Sequence, residues 1–139
     1  LMIVVAIIAI LAAIAIPAYN QYITEARIAK VTEHYDAATR VVRAHMAKVA
    51  AHEARGGTAL SNPTTAQAWI DDVIDPDSKS TAPEGGPGYE TTTANAADGV
   101  VAVTVNAGAV SIIRPEYPSA ANGGGGITAT STTIDPANI

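Results

Sequence analysis

Residues 1–16, LMIVVAIIAILAAIAI, are apolar without exception, and polar side chains begin only beyond Pro17. In helical conformation this run spans about 24 Å, against a hydrocarbon core of roughly 30 Å. Beyond Pro17 the pattern becomes a stripe. Ile28, Val31, Tyr35, Ala38, Val42, His45 or Met46, and Val49 recur at spacings of three and four, the period of one buried helix face. Glu25, Arg27, Lys30, Glu33, Arg40, Arg43 and Lys48 occupy the other faces. Gly56-Gly57 supplies a stop, so the pattern predicts one helix over 1–55, about 80 Å long. Its first third is apolar all round and the rest is dry on one side. Pro17 removes one helical hydrogen bond and crowds the Ala13 carbonyl, which predicts a kink or a locally unwound stretch over 12–17.

After the glycines, Ser61-Asn62-Pro63 reads as a helix start, because proline is accommodated in a first turn. Ala66, Trp69, Ile70, Val73 and Ile74 then form an apolar stripe ending at Pro76. The expectation is a short helix over 63–75 with Trp69 as its core anchor. Residues 77–90, rich in Ser, Pro and Gly, read as loop. Strand-like patches follow at 89–94, 100–106, 109–114 and 127–134. Asp98-Gly99 and Asn106-Ala107-Gly108 supply turns, and Gly123 to Gly126 form a flexible loop before the last strand. The predicted fold is α+β: a long N-terminal helix, or stalk, with a small antiparallel β-sheet head packed on its C-terminal half. The stalk comprises 1–55, divided into an apolar segment 1–16 and an amphipathic segment 17–55, and the head comprises 56–139. Packing between them falls to Ile28, Val31, Tyr35, Ala38, Val42, Met46 and Val49 from the stalk, and Trp69, Ile70 and Val73 from the head.

Composition sharpens the division. The 139 residues are 48% hydrophobic, but without the first sixteen the figure falls to about 41%, ordinary for a soluble chain. Residues 1–55 carry six basic and four acidic residues, and 56–139 carry two basic and nine acidic, so a net charge of −5 combines +2 with −7. Specific nucleic-acid binding is not expected, because phosphate contacts need clustered Lys and Arg. Zero cysteines exclude a disulfide framework, a thiolate metal site and a thiol nucleophile.

Three readings of the apolar run compete. Ala13-Ile14-Ala15 fits a signal-peptide cleavage site, but the helix pattern continuing past Pro17 argues against a boundary there. A plain membrane anchor is the second. The third is a segment that anchors first and packs later: ten of the sixteen residues are Leu, Ile or Val, worth roughly −3 to −6 kcal/mol towards the membrane. Ala9 and Ala13, with Ala6 and Ala12 nearby, let helix backbones approach closely.

LMIVVAIIAILAAIAIPAYNQY resembles the N-terminal segment of mature type IV pilins, read from just inside its start. The likeness runs without a gap over about 22 residues, Pro17 and Tyr19 included, and then fades. It implies a major pilin subunit that polymerises into a bacterial type IV pilus, a helical homopolymer serving adhesion, twitching motility, DNA uptake or related surface roles. Leu1, Ile3, Val4, Ala6, Ile7, Ala9, Ile10, Ala13, Ile14 and Ile16 then sit in the inner membrane before assembly and in the filament core afterwards. The region before Pro17 can lose helix in the filament. The implied partners are other copies, a prepilin peptidase, and the assembly platform with its motors. The resemblance also implies a removed leader, a methylated N-terminal residue and a glutamate directly before Leu1, so a longer native segment is expected. A pseudopilin of a type II secretion system is the alternative within the family. A monomeric membrane-anchored periplasmic binding module is the alternative outside it.

No catalytic or cofactor site is expected. His45 and His52 lie seven apart and could share a helix face, but no carboxylate completes a ligand set. All three histidines, His34 included, read better as contacts between stalk and head or between subunits. Asp71, Asp72, Asp75 and Asp77 are the candidate Ca²⁺ cluster. EF-hand spacing fails there, since Lys79 and Ser80 stand where an oxygen ligand and the turn glycine belong, and a solvated helix end is preferred. No phosphate loop or nucleophile elbow occurs. Residues 91–93 and 131–133 are candidate O-glycan acceptors, though Thr is also favoured in strands. The resemblance implies a C-terminal disulfide that this chain cannot form, so the strand at 127–134 is expected to pair at the sheet edge and pin the end.

Overall fold

The computed structural model describes residues 1–119 and 126–139. Helix α1 runs from Met2–Glu53 without interruption. It stops two residues before the expected end, where the amides of Arg55, Gly56 and Gly57 turn back onto the carbonyls of His52 and Glu53. Gly56 takes φ +81° there, a left-handed conformation that glycine accepts at little cost. Pro17 lies inside the helix. The unwound stretch expected over 12–17 is therefore absent from this chain: one missing donor does not unwind a helix whose turns persist on both sides.

The second helix is shorter than expected. Residues 63–65 are not helical, and α2 spans Ala66–Trp69 before widening into a π-helical turn over Ile70–Ile74. Thr65 displaces Pro63 as the start because its hydroxyl accepts the Ala68 amide at 3.2 Å, the geometry of an N-cap. The wider turn closes where the Asp75 amide donates to the Ile70 carbonyl at 2.8 Å.

Four strands follow: β1 Tyr89–Glu90, β2 Val101–Asn106, β3 Ala109–Arg114 and β4 Thr130–Ile134. They lie side by side in chain order. The pairs β2–β3 and β3–β4 are antiparallel. The first strand corrects the all-antiparallel expectation, since β1 pairs with β2 in parallel through Tyr89 and Glu90 only. It ends early because the chain leaves the sheet after Glu90 and doubles back in a loop closed by two backbone bonds between Asn95 and Val100. The last strand is also trimmed: Ile127 forms an isolated bridge with Tyr117, and pairing proper begins at Thr130. Asp135 then caps a short 3₁₀ turn over Pro136–Asn138. The glycine loop expected at 123–126 lies, except for Gly126, outside the described residues.

The architecture is α+β, a mixed sheet laid on the second half of a long helix. The core forms where Val31, Tyr35, Ala38, Val42 and Met46 meet Trp69, Ile70 and the inward residues Val101, Val103, Val110, Ile112 and Ile134. Val49 is buried as well. Ile28 and Val73 pack at the margin.

The β2–β3 hairpin turns on Ala107-Gly108, with φ of 51° and 87°. Positive φ at both central residues is what the right-handed strand twist prefers, but alanine accepts it with a steric penalty. Ala107→Asn is expected to stabilise the head by about 0.5–1 kcal/mol. The check is denaturant unfolding of the detergent-solubilised chain, followed by fluorescence of Trp69, its one tryptophan.

Candidate functional site

Among the described residues, nothing covers the apolar half of α1. Leu1, Ile3, Val4, Ala6, Ile7, Ala9, Ile10, Ala13, Ile14 and Ile16 are all exposed, as are Tyr19 and Tyr22. One 18-residue window has a mean hydropathy of 2.7 and no buried residue. By length and composition this helix is able to cross a membrane. Apart from the first turn and the Ala13 carbonyl opposite Pro17, its backbone polar groups are met within the helix, so it is chiefly its surface that needs an apolar partner.

Where the bare half gives way to the covered half, a polar junction fastens the head. The Arg27 guanidinium meets Glu84 Oε1 at 2.5 Å, and the Tyr117 hydroxyl donates to the same oxygen at 2.7 Å. One turn along, Lys30 Nζ donates to Thr81 Oγ1 at 3.0 Å. Tyr117 also exchanges two backbone hydrogen bonds with Ile127. One carboxylate therefore ties together the stalk, the loop at 81–87 and the base of the segment leading to β4. Burial and the Glu84 hydrogen bond push the Tyr117 phenol up to about 12. Farther along the seam, Tyr35 hydrogen-bonds Thr132, and the Tyr89 hydroxyl donates to the His34 carbonyl at 2.9 Å. Burial raises the Tyr89 pKa, and the carboxylates of Asp75 and Glu33 add to the shift.

The histidines are spread along this seam and do not converge. His34 lies against Tyr89 with ring centroids 5.4 Å apart, His45 meets Trp69 edge-on at 5.2 Å, and His52 lies beside Gly57. Burial holds His34 below its ordinary 6.5, and Lys30 lowers it further against the opposing pull of Glu33 and Asp75.

Three of the four aspartates are occupied individually. Asp75 accepts the amides of Lys79 and Ser80, Asp77 pairs with Lys79 at 2.8 Å, and Asp71 accepts from Gln67. Among the described residues no three His, Asp or Glu side chains are grouped to hold a metal ion. Of the hydroxyl candidates, Thr92, Thr93, Ser131 and Thr133 are exposed, whereas Thr91 and Thr132 are half-buried.

Glu84, Thr81 and Tyr117 were not singled out by sequence reasoning. Glu84 is 57 residues from Arg27 and 33 from Tyr117, and no spacing rule links positions so far apart.

Two outcomes follow from the junction and the seam. Glu84→Ala strands Arg27 and Tyr117 and is expected to cost about 1–2 kcal/mol, discounted for solvent screening of the ion pair. Molar salt should remove only part of that difference in denaturant unfolding, because the phenol hydrogen bond is less screened than the ion pair. At His34 the folded chain binds a proton less readily than the unfolded chain. Its contribution is complete above the unfolded value and is lost as pH falls from there through the lower folded one. Thermal unfolding between neutral pH and about pH 5 should show stability declining, less steeply in His34→Gln.

None of the protein-family models, curated proteins or solved structures compared with the chain matches it. Its architecture, a long apolar N-terminal helix with a small mixed sheet packed on its second half, is compatible with a pilin-like fold.

Proposed function

We propose that this chain is a structural subunit that polymerises into a bacterial type IV pilus filament. The observation that carries the reading is the uncovered half of α1, whose ten Leu, Ile and Val residues within 1–16 are all exposed. Burying each offers about 1.5–3 kcal/mol, or about 15–30 kcal/mol together before the cost of association is met. A bilayer takes up that surface first. Close packing of helices from other copies, eased by Ala9 and Ala13, takes it up in the filament.

The pilin resemblance over residues 1–22 favours a polymer over a solitary anchor, since an anchor needs hydrophobicity but no particular order of residues. In this reading the chain rests in the inner membrane until assembly and then forms part of an extracellular filament. The prepilin peptidase and the assembly platform with its motors are its handlers, the folded part performs no bond chemistry, and the acidic head coats the exterior.

Electron microscopy of sheared surface material, with mass spectrometry for this chain, tests the proposal. Filaments built from the chain are the expected outcome; a chain confined to the membrane fraction as a monomer overturns it. Ile10→Asp adds about 3 kcal/mol to the cost of placing the segment in an apolar phase. It should abolish surface filaments while Trp69 fluorescence reports an intact head.

A further inference from the structure

We infer that Tyr19 and Tyr22 are interfacial anchors: their rings lie in the lipid headgroup layer on the head's side of a bilayer. There they fix how deep α1 sits and lean it away from the head. The inference rests on the reading above that the chain is held in a bilayer before assembly. The chain has five tyrosines. The hydroxyls of Tyr35, Tyr89 and Tyr117 are hydrogen-bonded along the seam or at the junction. Tyr19 and Tyr22 are instead 65% and 71% exposed, and neither phenol has a partner among the described residues. A tyrosine joins an apolar ring to a polar tip, and in membrane proteins it collects at the boundary of hydrocarbon and water, where both ends are served.

Polarity along the chain changes in the order such a boundary requires. Through Ala18 no side chain is polar; Asn20, Gln21 and Thr24 are polar without charge, and Glu25 is the first charged residue. Along the axis Glu25 stands about 4.5 Å beyond Tyr22 and Arg27 about 7.5 Å, against a headgroup layer of about 5–7 Å on each side of the hydrocarbon. With both rings in that layer, the Arg27–Glu84 junction and the head it fastens clear the lipid.

The pair also has a side. Tyr19 precedes Ile28 by nine residues, and Tyr22 precedes Val31 by nine, about two and a half turns. Both rings therefore project from the flank opposite the one that Ile28 and Val31 press into the core. Asn20 and Thr24, at spacings of four before Ile28, fall on the head's flank. An aromatic flank turned to lipid and a polar flank turned to water lean the helix towards its tyrosines and lift the head. A second copy of α1 is the less favourable occupant of the aromatic flank. A dry helix contact has to find a partner for each hydroxyl, which the wet headgroup layer supplies by itself. Ala13, which eases close packing, lies nine residues before Tyr22 and so on the other flank.

The absence of native cysteine makes single-cysteine reporters possible in the full chain, reconstituted into vesicles of phosphatidylethanolamine and phosphatidylglycerol. Ala15→Cys, Ala18→Cys and Ala26→Cys each place a thiol at an exposed position of α1. A membrane-impermeant maleimide is expected to label Ala26→Cys rapidly and the other two at least about tenfold more slowly, because a thiol in hydrocarbon forms little thiolate. Tyr19→Leu/Tyr22→Leu exchanges the interfacial rings for side chains that prefer hydrocarbon. It should draw the helix inward and slow Ala26→Cys by about fivefold or more, whereas Tyr19→Trp/Tyr22→Trp should keep its rate within about twofold. Equal labelling of Ala26→Cys in the tyrosine, leucine and tryptophan backgrounds overturns the anchoring and leaves the membrane reading intact. Labelling of Ala15→Cys as fast as Ala26→Cys means that the helix is not in the bilayer, and overturns that reading together with the anchoring. A slowing in the leucine pair that vanishes when the chain is diluted with lipid assigns the flank to a second copy instead.

Discussion

One helix has to satisfy two surroundings. From Met2 to about Tyr22 the side chains of α1 are exposed and almost wholly apolar, whereas from Val31 to Val49 one face is sealed beneath a sheet. Both halves belong to one continuous helix, whose hydrogen-bond ladder lacks only the donor at Pro17 between its first and last turns. The bare half can leave water with few backbone groups stranded, those of its first turn and the Ala13 carbonyl opposite Pro17, and the covered half can serve as a rigid floor for the head. The rest of the structure depends on that continuity: β2, β3 and β4 all rest on α1, and none reaches the apolar half.

The head is held to its floor by packing before polarity. Fully buried Val31, Ala38 and Val42 meet fully buried Val103, Val110 and Ile112. Polar atoms at the seam are less well served. His34 Nδ1, His45 Nε2 and Trp69 Nε1 are buried without a partner among the described residues, each a cost that apolar burial has to exceed. At the upper end of the seam the balance reverses, and Glu84 gathers Arg27 and Tyr117 on one oxygen. Cooperation between the two regions is physical: the packed seam sets the angle of the head, and the junction stops its upper edge from lifting.

The α+β class is legible in the sequence because its two periodicities are clean. Residues 1–16 contain no polar side chain to interrupt them, and Val31, Tyr35, Ala38 and Val42 lie on one face by spacing alone. The Asn106-Ala107-Gly108 signal likewise belongs to a local turn that needs no distant partner. Strand direction is a different matter. Alternation along 89–94 is the same whether the neighbour runs up or down, and the parallel pairing of Tyr89 with Val101 arises from the loop that Asn95 closes. The start of α2 turned on which of several capping residues wins, and Thr65 wins through one hydroxyl. Within the candidate site, the bare apolar half can be read from composition. The Glu84 junction cannot, because it joins three distant segments through charge and a phenol.

That junction gives the head an unusual response to mechanical load. A cystine holds until a covalent bond fails, and once broken it needs a redox partner to re-form. The contacts of Glu84 with Arg27 and Tyr117 and of Lys30 with Thr81 are individually modest and re-form without any reagent. A pull along α1 would load them in shear where the head begins, and contacts of this size would re-form unaided once the load is released.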